Sequence, residues 1–147
     1  MEDELIPSVD RLRMDAAGLN TFLGEVFPQS DIESRGRVTE AVPGRIRMEI
    51  RPGERALRPG GIISGPAQMA LADVAAYAAV LAHVGPVAMA VTNTLTIHFL
   101  RACDPGVLHA DAAVLRLGRR IVTIEVRLWT KSPERLAAQA TVAYTLP

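Results

Sequence analysis

Asp73 is the residue best placed to do chemistry in this chain of 147 residues. It lies inside the run Ala67 to Leu81, AQMALADVAAYAAVL, where the only other polar groups are Gln68 and the hydroxyl of Tyr77. Ala, Leu, Val and Met cost little entropy or pack well when helical, and a helix over this span is ~25 Å long. A helix apolar on nearly every face belongs inside something. A carboxylate there is costly unless it is paired or hydrogen-bonded. Three readings follow: a structural acid capping a loop or accepting from a backbone amide, a catalytic or substrate-facing acid, or an acid at an assembly edge. The turn that feeds the helix, GGIISGP from Gly60 to Pro66, is unusual enough to favour the second.

The rest of the chain reads as the frame for that helix. Met1 to Asp10 is expected to be frayed. Leu12 to Phe27 has a loose helical period, with Leu19, Phe22, Leu23 and Val26 on one stripe before Pro28. From Arg37 the period changes to that of strands. Val38 and Val42 share a face, and after Pro43-Gly44, Ile46, Met48 and Ile50 alternate with Arg45, Arg47, Glu49 and Arg51. A polar loop carrying Arg55 and Arg58 leads to the central helix, which Gly85-Pro86 stops near His83. In Ala88 to Phe99, Met89, Val91, Leu95 and Ile97 read as one face, and Ala90, Thr92, Thr94, Thr96 and His98 as the other. Val107 to Leu117 and Arg119 to Thr130 flank a hairpin corner at Gly118, and Leu136 to Thr145 closes the chain. Four sequential strands favour an antiparallel sheet on one helix, an α+β class. Residues 1–35 form an acidic leader with a short helix, and 36–147 the main domain.

Composition narrows the functions. The net charge is zero, which weighs against a nucleic-acid binder relying on bulk positive charge. The charge is uneven: residues 1–34 carry eight acids against two arginines, whereas residues 35–147 carry eight acids against fourteen basic side chains. The main body therefore suits an anionic ligand better than the total suggests. The leader is equally well read as a solvated patch. Cys103 is the single cysteine and has no intrachain partner, so a reducing, cytoplasmic compartment is expected. No secretory signal is read at the start. The apolar helix is too short and interrupted for a membrane span of ~20 apolar residues. His83 and His98 are read as structural or surface, and neither has metal-ligand spacing with Cys103.

GIISGPAQMALAD (Gly61 to Asp73), VTNTLTIHFLR (Val91 to Arg101), GRRIVTIEV (Gly118 to Val126) and the last strand together resemble the hotdog-fold thioesterases of the phenylacetate-pathway type. The resemblance spans roughly residues 36–145. It implies a hotdog fold, a curved antiparallel sheet wrapped around one long central helix. It further implies a homodimer, usually paired into a homotetramer, that hydrolyses acyl-CoA at sites shared between subunits, with no cofactor and no metal. The family's helix-borne acid corresponds to Asp73 and its oxyanion-binding glycine to Gly65. The family's usual histidine immediately before that glycine is Ser64 here, and its asparagine six residues before the histidine is Arg58.

Thioester hydrolysis needs a place for the charge developing on the carbonyl oxygen and a nucleophile opposite it. Orphan amides at a helix start provide the first. Gly65 permits close approach, and Pro66 fits the first turn. A plain cap by Ser64 is an equally good account of the same residues. Asp73 lies about 13 Å along the axis from Ser64, so an antiparallel partner helix is needed to bring both to one carbonyl. Tyr77 shares the face of Asp73; it either orients the acid, lines the acyl pocket or packs with its hydroxyl at a rim. Gln68 either bonds across a subunit pair or projects outward. Arg101, Arg119 and Arg120 lie at strand ends where related proteins bind CoA phosphates, and guanidinium forks suit phosphates; a side chain that snorkels at a sheet edge is the other reading of Arg120. A non-catalytic acyl-CoA or acyl-carrier binder on the same fold is the main alternative. A dehydratase is third, since no His/Asp arrangement for proton abstraction appears.

Overall fold

In a computed structural model describing residues 6–30 and 35–147, the chain forms one six-stranded sheet, a small two-stranded ribbon and two helices. Part of the frayed-end reading (residues 1–5) and five of the eight leader acids lie outside the described residues. Helix α1 is Ala16–Val26 and helix α2 Gly65–Val84. The strands are β1 Arg37–Val42, β2 Arg45–Ile50, β3 Leu57–Arg58, β4 Ile62–Ile63, β5 Val91–Phe99, β6 Leu108–Leu117, β7 Ile121–Trp129 and β8 Ala138–Thr145. The large sheet has the order β1-β2-β6-β7-β8-β5 and every neighbour is antiparallel. It curves around α2, which is the hotdog architecture.

Small residues on both sides allow the wrap to be close. Ala72, Ala75, Ala76, Ala78, Ala79 and Ala82 of α2 are fully buried, as are Ala110, Ala112, Ala138 and Ala140 on the strands facing it. Ile46, Met48, Leu108, Ile124 and Leu128 fill the space between. The helix has twenty residues, longer than its sequence suggests, and by length and composition alone it is long enough to cross a membrane. Its packing makes it the core of the fold instead, with 67% of its most apolar window buried. Burial is not all-round, however. Pro66, Met69 and Ala70 are exposed, and Asp73 and Val74 only half-buried, so the N-terminal half of α2 leaves one stripe uncovered.

His83, near the end of α2, is fully buried and doubly used. Its Nδ1 donates to the Ala79 carbonyl at 2.7 Å, and its Nε2 accepts the Gly44 N–H at 2.8 Å. This ties the β1–β2 turn to the helix end. Gly85 ends α2 with φ 106, a region that favours glycine.

The two edges of the sheet differ. At β1, Asn20 of α1 acts as a surrogate strand: its Nδ2 donates to the Val38 carbonyl at 3.0 Å and its Oδ1 accepts the Val38 N–H at 2.8 Å. Leu19 and Leu23 of the same helix join the main core, so the leader helix packs as part of one body with the sheet. Asp15 caps α1 by accepting from Gly18 N–H at 2.8 Å, which is why the helix starts at Ala16 and not at Leu12. At the other edge, β5 pairs with β8 on one side, its outer side has no neighbour among the described residues over nine residues, and Val91 and Phe99 are exposed. Asn20→Ala is expected to cost about 1–2 kcal/mol, the net worth of two partly exposed hydrogen bonds. Urea unfolding of the two proteins side by side measures it; an unchanged midpoint would mean that water replaces the amide without loss.

Candidate active site

Strand β5 carries a bulge between Thr92 and Thr94 that shifts its register against β8. Thr92 pairs with Tyr144, whereas Thr94, two residues on, pairs with Ala143. The extra residue reverses the alternation read from the sequence. Val91 faces outward, and Thr92 joins Leu95, Ile97 and Phe99 on the face toward α2. That face meets Asp73.

The Asp73 carboxylate is held by one oxygen. Thr92 Oγ1 donates to Asp73 Oδ1 at 2.7 Å, and the Tyr144 hydroxyl donates to the same oxygen at 2.6 Å. The Tyr144 oxygen also lies 3.1 Å from the Asp73 carbonyl. Oδ2 has no hydrogen-bond partner among the described residues. Burial, then the hydrogen bond to Asp73, push the Tyr144 hydroxyl far above the ordinary tyrosine value, so it remains a donor. Beside the carboxylate opens a cavity of about 280 Å³ with walls from Phe27, Val74, Tyr77, Ala88, Ala90 and Val91. Tyr77 packs against Tyr144 with ring centroids 5.7 Å apart and meets Phe27 edge-on at 5.9 Å. Its hydroxyl donates to the Ala88 carbonyl at 3.0 Å. Tyr77 thus lines the cavity and makes no hydrogen bond to the acid, whereas Tyr144 does.

The helix start is the second half of the candidate site. Ser64 caps α2, its Oγ accepting the Ala67 N–H at 3.3 Å. Gly65 lies against the ring of Phe99, so closely that a Cβ there would sit 3.2 Å from Phe99 Cζ. Gln68 does not project outward. It is buried, and its Nε2 donates back to the carbonyls of Ile63 and Ser64 at 3.3 and 3.4 Å. Its Oε1 is buried with no hydrogen-bond partner among the described residues. Arg58 is exposed on β3, which pairs with β4, and β4 in turn bridges to Cys103.

The three arginines expected to act together do not sit together within one chain. Arg101 follows β5 at the Phe99 end, where its N–H reaches the Ala137 carbonyl. Arg119 and Arg120 are at the β6–β7 corner, beside Leu146 and the Val91 end of the sheet. The length of β8 separates the two groups by ~25 Å. Asp73 and Gly65 are likewise apart, eight residues or ~12 Å along α2. Cys103 is buried, and burial first, then Asp104, push its thiol up to about 11, so it is not a nucleophile at neutral pH. Among the described residues no group of His, Cys, Asp and Glu is placed to hold a metal ion. His98 is exposed on the outer face of β5 near Gln139.

Thr92 and Tyr144 are functional candidates that sequence reading passes over. Tyr144 carried a usable signal: it shares parity with Ala138, Ala140 and Val142, the face turned toward α2. A tyrosine buried there needs a partner for its hydroxyl.

A family model described as the thioesterase superfamily matches residues 60–137. Among solved structures, a candidate thioesterase from a Silicibacter species is 38% identical, the alignment covering 97% of this chain and 99% of that one, with a TM-score of 0.85. Thioesterase superfamily member 2 of zebra fish is 20% identical over 91% of this chain and 99% of its own, with a TM-score of 0.77. A thioesterase from Haemophilus influenzae is 16% identical over 95% of each chain, with a TM-score of 0.76. The latter two are likenesses of fold alone. No curated protein matches the sequence.

Proposed function

The chain belongs to the thioesterase superfamily, and within it we propose that it hydrolyses acyl-CoA thioesters to the free acid and CoA, in the manner of the phenylacetate-pathway type. The observation that carries this reading is the Asp73 carboxylate, anchored through Oδ1 and free at Oδ2 beside a cavity of acyl size. Oδ2 either attacks the thioester carbonyl, expelling CoA thiolate and leaving an acyl-aspartyl anhydride that water then hydrolyses, or takes a proton from a water that attacks the carbonyl, the C–S bond breaking as the CoA thiolate leaves and is protonated. The acyl group lies against Phe27, Val74 and Tyr77.

The oxyanion site comes from a second copy of the chain. An open edge strand of nine residues, with Val91 and Phe99 exposed at its two ends, invites a partner, whereas Asn20 blocks the opposite edge. Two β5 strands paired antiparallel about a two-fold axis at Thr96, with Asn93 bulged out of register, set Thr92 of one subunit opposite Phe99 of the other. Because Thr92 holds Asp73 and Phe99 packs on Gly65, each Asp73 then faces the helix start of its partner. The amides around Gly65 receive the charge on the carbonyl oxygen. The same symmetry carries Arg101 of one subunit to the end of the sheet that holds Arg119 and Arg120 of the other, which suits a CoA phosphate chain. Ser64 keeps its role as the cap that forms this helix start, and Arg58 flanks it. Pairing of two such dimers gives the tetramer.

Thiol release from a panel of aromatic, short and medium acyl-CoAs tests the reaction, with sedimentation at micromolar concentration beside it. Turnover by a dimer or tetramer is expected. Saturable binding of every acyl-CoA without thiol release would make the chain a binding protein, and a monodisperse active monomer would end the shared-site reading.

A further inference from the structure

We propose that Tyr144, together with Thr92, is a positioning residue for hydrolysis: the two hydroxyls clamp Oδ1 of Asp73 and so select Oδ2 as its working oxygen. The inference rests on the thioesterase reading of this site and adds to it the device that orients the acid.

A carboxylate on a helix rotates freely about its last torsion unless something holds it, and its two oxygens are otherwise equivalent. Here the symmetry is broken on one side only. Thr92 on β5 and Tyr144 on β8 are a cross-strand pair on the face toward α2, so both donors are fixed by sheet register and not by loops. They reach the same oxygen, at 2.7 and 2.6 Å. The bulge at Asn93 is what turns Thr92 inward to complete the pair. Tyr144 is in turn wedged by the Tyr77 ring, and Tyr77 is pinned by its bond to the Ala88 carbonyl. The acid is therefore oriented by a chain of packed groups, Ala88 to Tyr77 to Tyr144 to Asp73. Because Tyr144 is 4% exposed and its titration is driven well above the ordinary range, it does not exchange its proton with the reaction. Its part is to hold, not to transfer.

A tyrosine that merely found the nearest acceptor would leave turnover per folded molecule untouched when its hydroxyl is removed. A positioning tyrosine would not, since a misplacement of about 1 Å in a reacting group costs on the order of a hundredfold. The test is thiol release by Tyr144→Phe, Thr92→Val and Thr92→Ser, each also made on the Asp73→Asn background, with a thermal melt of every preparation. Tyr144→Phe is expected to lower kcat about 10- to 100-fold with KM nearly unchanged. Thr92→Val should behave alike, Thr92→Ser should restore turnover, and neither Tyr144→Phe nor Thr92→Val should reduce the residual rate of Asp73→Asn further. Wild-type kcat per folded site in Tyr144→Phe overturns the proposal, and so does a raised KM with kcat intact. Should Tyr144→Phe fail to fold, Thr92→Val decides: loss of kcat with recovery in Thr92→Ser upholds the clamp, and unchanged kcat overturns it. Full turnover in Asp73→Asn itself would instead remove the assignment of the acid, a separate failure that the same assays distinguish.

Discussion

Asp73→Asn is expected to leave fold and assembly intact while lowering thiol release by about three orders of magnitude, the range seen when a general acid or base is removed. The geometry explains why the fold should survive. Asn retains an oxygen that accepts from Thr92 and Tyr144, so both anchoring bonds persist. Its amide nitrogen then occupies the place of Oδ2, where it donates instead of accepting and can neither attack a carbonyl nor take a proton. The site is also half-open, so the substitution leaves no buried group newly unpaired. A purely structural acid would behave in the opposite way. Losing charge-assisted bonds, which are roughly twice as strong as neutral ones, would lower the melting temperature while turnover per folded molecule stayed near wild type. Thiol release per folded site and a melt of the same samples separate the two.

Most of the frame that holds this residue is written in local pattern. Alternating Ile46, Met48 and Ile50, the Pro43-Gly44 turn, the apolar run ended by Gly85 and the corner at Gly118 each announce their element within a few residues, because periodicity and turn chemistry are local. The ribbon β3–β4 was hidden: strands of two residues show no alternation, and its polar surroundings read as a loop. The site was legible only where it followed the helix. Asp73 stood out as an acid among alanines, but its partners did not. The alternation puts Thr92 on the wrong face because one extra residue at Asn93 flips everything before it. Tyr144 lies 71 residues from Asp73, and no local rule joins them. The spacing of the arginines was hidden for a related reason: a position at a strand end does not say which end of the sheet that is, and only the register separates Arg101 from Arg119 and Arg120 within one chain.

A mixture of two inactive variants is expected to recover activity that neither possesses. Gly65→Ala keeps a backbone that alanine can adopt, because Gly65 is not among the glycines with positive φ. The new methyl group must nonetheless displace the end of the Phe99 ring, which it would approach to 3.2 Å, and it crowds the approach to the helix-start amides. Loss of such a site costs about 10²- to 10³-fold. If each site draws its acid from one subunit and its helix start from the other, a hybrid of Gly65→Ala with Asp73→Asn has one site carrying both defects and one carrying neither. Refolding an equimolar mixture from denaturant makes about half of the dimers hybrid, each with one intact site of two, so recovery should approach about a quarter of wild-type turnover. Tagging one variant and isolating the hybrid should double that figure. A site built within a single subunit predicts a different result: every hybrid protomer keeps its own defect, and the mixture stays as inactive as the average of its parts. The comparison needs no knowledge of the natural acyl group, because any acyl-CoA turned over by the wild type reports it. It also separates failure of assembly, seen as monomers in sedimentation, from failure of the shared site, seen as stable hybrids without turnover.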